Sequence, residues 1–423
     1  MAPALQRVAV LAGTRLAKLL QHFPASIGPS SLADVRGAAG FVRLEAECVE
    51  CIALVDADLN PPIQVLGYGP DVLFDAASIA ERVASAAALR PKGLDARRVV
   101  HEAADGFPGL AVDGFRTFAK VDVYSSHWQP YLPTIADALL QNGFAGAYLR
   151  TRVRGKPQTC THLAGVEAPS RLQCEENGAR YEVNLGNSLS TGLYLDQRAN
   201  RAFVSQLAAA GADGGQASVL NLFAHSCSFG VACALAGART LNSDTDGGWL
   251  NVGRRNYALN GLAGDHLFEK ECAFDRLAEP GELHDVVIVD PSPSALSKSF
   301  GAFSAREHFA GLVALAANSV KPGGHLVVFS NCRSVQRMRF RKSVHAALPK
   351  LFGLPDCPPA DPDAEPPRLT PSLRFSARGF TLPSTASWDL VTELGQDITD
   401  HPSEPHMICD YLNGAAVRRR KDS

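Results

Sequence analysis

No stretch of this sequence approaches the roughly 20 consecutive apolar residues that a membrane-crossing helix requires, so no membrane partner is expected. Neither sign of charge dominates. Lys and Arg number 41 against 43 Asp and Glu, for a formal net charge of −2. That balance excludes a globally basic nucleic-acid binder while leaving room for a local basic patch. The ten cysteines are scattered, and only Cys48 and Cys51 in "ECVECI" stand close together. No second CxxC completes a zinc site, so the pair reads as part of a buried strand and no metal is expected. Scattered single cysteines fit a reducing compartment better than a secreted one. Acids are missing before Asp34, while Leu5, Val8, Ala12, Leu16, Leu19, Leu20 and Phe23 recur at helical spacing. Two readings stand: an organelle presequence, or simply the start of the first folded domain. Internal repeats are also missing.

What is present divides the 423 residues into three stretches. Residues 1–70 mix short apolar runs with Gly and Pro and predict a small β domain. Residues 71–178 predict a central α+β domain that opens on the helix "DAASIAERVASAAALR", with Asp75 as its N-cap. Asp-Gly and Pro-Gly steps in "HEAADGFPGLAVDGF" mark tight turns between strands. From 179 to 423 strands and helices alternate: 217–224, 229–237, 239–244, 247–260, 284–290, 304–319 and 325–331. Such an order predicts an α/β, doubly wound, Rossmann-like parallel sheet with a crevice at the carboxyl ends of its strands. Residues 353–372, "GLPDCPPADPDAEPPRLTPS", are too Pro-rich for a helix and read as an exposed loop.

The turn "NLFAHSCSFG", Asn221 to Gly230, sits where an α/β sheet docks a nucleotide-type cofactor, yet it lacks the GxGxxG a pyrophosphate needs. S-adenosylmethionine (SAM) has no phosphates and tolerates a less glycine-rich turn, so NAD is disfavoured. Asp244 ends the next strand, where an acid accepts from a ribose's two hydroxyls. Glu271 follows the third strand, within reach of an adenine amino group, and Asp290 ends the fourth. One strand-end acid is usually solvated or caps a helix; three in succession suit a SAM crevice.

"STGLYLDQRANR", "VLNLFAHSCSFG", "LNSDTDGGWLNVGRRNYALNGL", "VVIVDPSPS" and "DITDHPSEPHMICDYLNG" resemble, in order, signatures of the RlmI/RlmK-type ribosomal RNA methyltransferases. "VHEAADGFPGLAVDGF" is similar to that family's central domain, and "RVAVLAGTRLAKLLQHFP" with "IALVDADLNPPIQVLGYG" to its PUA-like RNA-binding domain. The resemblance implies a class I methyltransferase that uses SAM on RNA, most simply a base of large-subunit ribosomal RNA. It implies a cytoplasmic or organellar (mitochondrial or plastid) setting and is compatible with a homodimer. Cofactor contacts are expected from Asp196, Arg198, Asn221, Phe223, Ser226, Gly230, Asp244, Glu271 and Asp290. Three departures stand out. Cys227 replaces the first glycine of the family's turn, Ser190-Thr191-Gly192 replaces K-T-G, and Asp290-Pro291-Ser292-Pro293-Ser294 loses the aromatic that stacks on a flipped base. Phe300 and Phe303 are the nearest substitutes. If the Cys227 position requires positive φ, cysteine there costs on the order of 1 kcal/mol and crowds the methionine end of SAM. A catalytically weak relative that keeps RNA binding, and a SAM enzyme acting on a non-RNA substrate, therefore stay open.

The reaction turns on "FSNCRS", which holds Asn331 and Cys332 after a predicted strand. Carbon 5 of cytosine needs an attacking thiolate, whereas a base nitrogen needs positioning. Cys332 is one place out of register with the S-C-S cysteine of cytosine-modifying relatives, which favours the second chemistry. Asp290, Asn331 and Cys332 are the catalytic candidates. For RNA contact, "RTRVRGK" would place Arg150, Arg152 and Arg154 on one face of a strand about 6.8 Å apart, near the phosphate repeat. A solvated edge is the equal alternative, and "RRRKD" near residue 420 reads as a disordered tail.

Overall fold

A computed structural model describes residues 5–21, 26–35, 37–46, 49–278, 281–297, 301–348, 350–355, 386–396, 401 and 411–421. The chain divides into two compact units, one formed by Met1–Glu176, Val183–Thr191 and Ile398–Asp410, the other by Asn177–Glu182, Gly192–Asp397 and Tyr411–Ser423.

In the first unit the helical spacing near the start is broken. Gln6–Ala9 forms a strand parallel to Gly40–Ala46, and the helix covers only Arg15–Leu20. Thr14 caps that helix, and Val8, Leu16 and Leu20 are buried with Val42, Leu44 and Ile63. The described residues 5–21 thus belong to a folded unit. Cys51 is buried in the strand Val49–Val55; Cys48 lies outside the described residues. Asp75 caps the helix Ala76–Ala88 as expected, in a reciprocal box with Ser78.

A second sheet follows, in the order Thr159–Gly165, Gly146–Thr151, Phe118–Val123, Leu110–Phe115, Ala96–His101. The turn in "HEAADGFPGL" is built by Asp105, which pairs with Arg90 and accepts from the His101 amide at 2.5 Å, while Gly106 and Gly109 take φ of 75° and 70°. Asp122 receives both Arg150 Nε (2.6 Å) and Arg150 Nη2, and Asp113 receives Arg98 Nε at 2.5 Å.

Arg150 must therefore be corrected as a phosphate contact. Its guanidinium is buried, doubly bonded to Asp122, and gives its remaining arm to the Leu189 carbonyl at 2.9 Å. The strand ends at Thr151, so Arg152 and Arg154 do not continue its face. Arg152 lies over the Tyr124 ring at 5.3 Å, and Arg154 is exposed on a turn.

The second unit holds an eight-stranded sheet among the described residues. Its order is Leu267–Lys270, Arg239–Asp244, Ser218–Leu222, His284–Val289, Val320–Ser330, Asn413–Arg419, Trp388–Gly395, Leu351–Phe352. The first five run parallel; Asn413–Arg419 is antiparallel to both of its neighbours. This is the predicted Rossmann-like order, with helices Ser228–Leu235, Gly247–Leu259 and Ala305–Ala317 at the expected places. Val286, Val287, Ile288 and Val289 are fully buried, as a strand covered on both faces must be. "RRRKD" is not a free tail: Arg418 and Arg419 lie in the strand and Arg420 pairs with Asp389. Most of the Pro-rich stretch, from 356 on, lies outside the described residues.

Candidate active site

The order of the parallel strands reverses between Ser218–Leu222 and His284–Val289, the place where an α/β sheet opens its crevice, and the turn from Phe223 to Cys227 follows the first of these strands. Three non-glycine residues there are left-handed: Phe223 (φ 57°), His225 (48°) and Cys227 (60°). Each costs on the order of 1 kcal/mol or more relative to glycine, so the turn is strained as the Cys227 substitution implied. The crowding expectation is corrected, because the Cys227 side chain is fully buried and packs toward the helix Gly247–Leu259. A Cβ on Gly253 would lie 2.3 Å from its sulfur, so cysteine fits only because residue 253 is glycine.

The turn is held from several sides. Asp244 Oδ2 accepts the His225 amide at 2.7 Å, its Oδ1 the Asp246 amide at 2.9 Å, and Ser226 Oγ donates to the Gly192 carbonyl. Burial raises the Asp244 carboxyl above its ordinary range, against those backbone donors. The His225 ring lies 3.9 Å from the Trp249 ring and 5.1 Å from Tyr194. Burial lowers its pKa to about 4, and its Nε2 is buried with no partner among the described residues.

Two expected cofactor contacts play another part. Asn221 is buried in its strand and donates to Asn242 Oδ1 at 2.9 Å. Gly230 is required because a Cβ there would lie 2.1 Å from Asn242 Oδ1 and 2.6 Å from the Tyr257 hydroxyl. Both shape the crevice from behind, as Ser226 does through Gly192.

Glu271 follows the neighbouring strand, with its amide bonded to the Asp244 carbonyl and its side chain partly exposed beside Arg276. Phe223 packs edge-on to Phe274. Asp196 Oδ2 accepts from the Tyr411 hydroxyl at 2.8 Å, and Arg198 is buried at the start of the helix Arg198–Leu207. Asp290 ends its strand half-buried, its Oδ2 bonded to Gln197 Nε2 at 3.0 Å. Burial first, then the Asp196 carboxylate, push its pKa up to about 7.

Just past the next strand, Val320–Ser330, Asn331 Oδ1 is buried and unpartnered among the described residues, while Cys332 Sγ lies 3.2 Å from Ser334 Oγ. Phe303 is buried against Phe274 and cannot offer a face to a base; Phe300 lies outside the described residues. Gln197 and Asn200 were missed at the sequence level, although both stand in the quoted "LDQRAN" stretch. Their signal was spacing: three residues apart on a helix start, they face the same way.

These residues suit SAM. Asp244 keeps lone pairs for ribose hydroxyls beyond the two backbone amides it serves, Glu271 offers an acceptor for an adenine amine, and His225 Nε2 and Asn331 Oδ1 await polar partners.

The family model described as S-adenosylmethionine-dependent methyltransferase matches residues 133–371. Ribosomal RNA large subunit methyltransferase I of Shewanella amazonensis is 30% identical over 284 residues, covering 63% of this chain and 70% of that protein. Ribosomal RNA large subunit methyltransferase K/L of Psychrobacter sp. is 33% identical over 189 residues, 44% of this chain and 22% of that one. In fold, the chain is similar to SMU.776, a methyltransferase crystallised with SAH. The TM-score is 0.78 at 20% identity, over 98% of this chain and all of that one (100%). With more than half of its length matched by that family model, this chain belongs to the S-adenosylmethionine-dependent methyltransferase family.

Proposed function

We propose that the enzyme methylates a base of large-subunit ribosomal RNA, at a base nitrogen, in whichever compartment holds its ribosomes. The observation that carries this reading is the set of acids at successive strand ends, Asp244, Glu271 and Asp290, beside unpartnered Asn331 Oδ1. The relatives' names point to the RNA class. Bound SAM supplies an electrophilic methyl group. Asp244 would hold its ribose, Glu271 its adenine, and the Phe223–Cys227 turn with Asp196 and Arg198 its amino-acid end. Asp290 and Asn331 would orient the acceptor base by hydrogen bonds, with Asp290 taking the proton that an N–H acceptor releases. A thiolate at Cys332 has no part in this chemistry, and its sulfur is already engaged with Ser334. Residues 1–70 are assigned as the PUA-like RNA-binding domain and 71–178 as the central domain, with Arg152 and Arg154 left as candidate phosphate contacts.

Calorimetry and product analysis test this together. SAM should bind the purified protein, and Asp244→Ala should weaken it by roughly 1–3 kcal/mol, the cost of unpaired ribose hydroxyls. With ribosomal RNA as substrate, Asp290→Ala should lose most methyl transfer while Cys332→Ala keeps most of it. Loss of the modified base in Cys332→Ala would make the cysteine the nucleophile and the base a cytosine. No heat with SAM at millimolar concentration would overturn the cofactor assignment to this crevice.

A further inference from the structure

We infer that Gln197 and Asn200 are positioning residues for Asp290, and that Asp196 opposes them, so that this acid holds and releases a proton during turnover. The inference rests on the reading of Asp290 as the group that meets the acceptor base.

The geometry is a short chain of amides. Asn200 Nδ2 donates to the Gly395 carbonyl at 2.9 Å and to Gln197 Oε1 at 2.6 Å. With its oxygen filled in this way, the Gln197 amide can turn only its Nε2 toward Asp290, where it reaches Oδ2 at 3.0 Å. A flipped Gln197 would set two amino groups together. Both amides are almost fully buried, each 3% exposed, so water does not compete for these bonds. Gln197 thereby fixes the carboxyl through one oxygen and leaves the other for the base.

The charged groups acting on Asp290 are Asp196, from the turn before the helix Arg198–Leu207, and Arg201, from the helix itself. From the adjacent strand end come Asn331 and Cys332, at positions set by the pairing of Val289 with Val328. Burial and Asp196 favour the protonated form; the Gln197 amide and Arg201 favour the carboxylate. The balance, near pH 7, is where a proton-accepting group works best. Asp196 itself is steadied by the Tyr411 hydroxyl.

Two variants should push in opposite directions, which a merely structural role would not do. Gln197→Leu removes a donor to the carboxylate and should raise the Asp290 pKa. Asp196→Asn removes a repelling charge and should lower it, each by on the order of one pH unit. The first readout needs no cofactor: the thermal midpoint of the SAM-free protein from pH 4 to 9. An acid whose folded-state pKa is raised loses stability as pH climbs from its unfolded value toward the folded one, and levels off above it. The levelling-off should move up in Gln197→Leu, down in Asp196→Asn, and vanish in Asp290→Asn. Asn200→Leu should follow Gln197→Leu. Gln197→Met, which keeps the volume, replaces the leucine variant if that one does not fold. The second readout is the acid limb of kcat on ribosomal RNA, expected to move with the first. Midpoint curves that stay together, or move the same way, overturn the positioning role. Opposite midpoint shifts with no methyl transfer by any form, wild type included, uphold it and instead overturn the proposed function.

Discussion

Two buried polar regions in this molecule look alike in composition and differ in what they leave unfinished. In the sheet of the first unit, Arg150–Asp122, Arg98–Asp113 and Arg90–Asp105 are ion pairs with side chains 3–16% exposed, each locked to a partner. In the crevice of the second unit, His225 Nε2 and Asn331 Oδ1 are buried without partners among the described residues, and Asp290 is bonded through one oxygen to a neutral amide. Buried charge alone therefore does not mark a working site. Arginine on a strand first suggested RNA binding, yet Arg150 is closed off by the Asp122 carboxylate, whereas the less conspicuous Gln197 is bonded to Asp290. Unspent hydrogen-bonding capacity points to a site only where it gathers beside strand-end acids, since buried polar atoms without partners among the described residues also stand elsewhere, at Ser31, His284 and His345.

The largest expected effect sharpens this contrast from the closed side. Asp122→Ala leaves Arg150 buried beside no carboxylate, and urea unfolding should show a loss of about 3–5 kcal/mol. A loss under about 1 kcal/mol would mean that Arg150 can leave its pocket and that the network is not a fixed scaffold.

A smaller effect comes from His225. Its folded-state pKa, about 4, lies below the unfolded value near 6.5, so the unfolded chain takes up the proton more readily. Stability from this group is complete above pH 6.5 and is lost as pH falls toward 4, by about 3 kcal/mol at most. His225→Phe keeps the stack on Trp249 without the titration, and the gap between its melting midpoint and that of wild type should change over this window. Parallel midpoints from pH 7 to 4.5 would show that the ring stays protonatable in the crevice.

The smallest effect concerns the turn itself. Gly253→Ala should clash with the Cys227 sulfur, and Cys227→Gly should relieve that clash together with the left-handed strain. A double-mutant cycle should give a coupling of about 1 kcal/mol or more, the pair being better tolerated together than their separate costs predict. Additive costs would place the two residues apart.

Much of the fold was legible because it is written in local terms. Asp75 announced its helix by capping chemistry, and the apolar run Val286 to Val289 announced a strand. Asp244, Glu271 and Asp290 could be placed at strand ends because strand ends are readable from periodicity. What was not legible depended on partners far away in sequence. Arg150 needed Asp122, 28 positions earlier, to be recognised as internal. Cys227 needed Gly253 to be recognised as accommodated, and Gly230 needed Asn242 and Tyr257 to be recognised as a place with no room for a Cβ. The apolar spacing near the start left two readings open because Val8, Leu16 and Leu20 belong to a strand and a helix that share one core, and spacing alone cannot say where the period changes.

The antiparallel strand Asn413–Arg419 lies between Val320–Ser330 and Trp388–Gly395, although it follows both in sequence. Until it docks, Trp388–Gly395 and the short Leu351–Phe352 strand beside it have no hydrogen-bonded route into the sheet. The strand latest in sequence is thus the keystone that joins the two outside it to the rest of the sheet. The Gly395 carbonyl, which anchors the Asn200–Gln197 chain, sits on one of those outer strands. On the proposed role of Asp290, a chain halted before residue 413 would carry every strand-end acid and still lack the sheet that holds the Gly395 anchor.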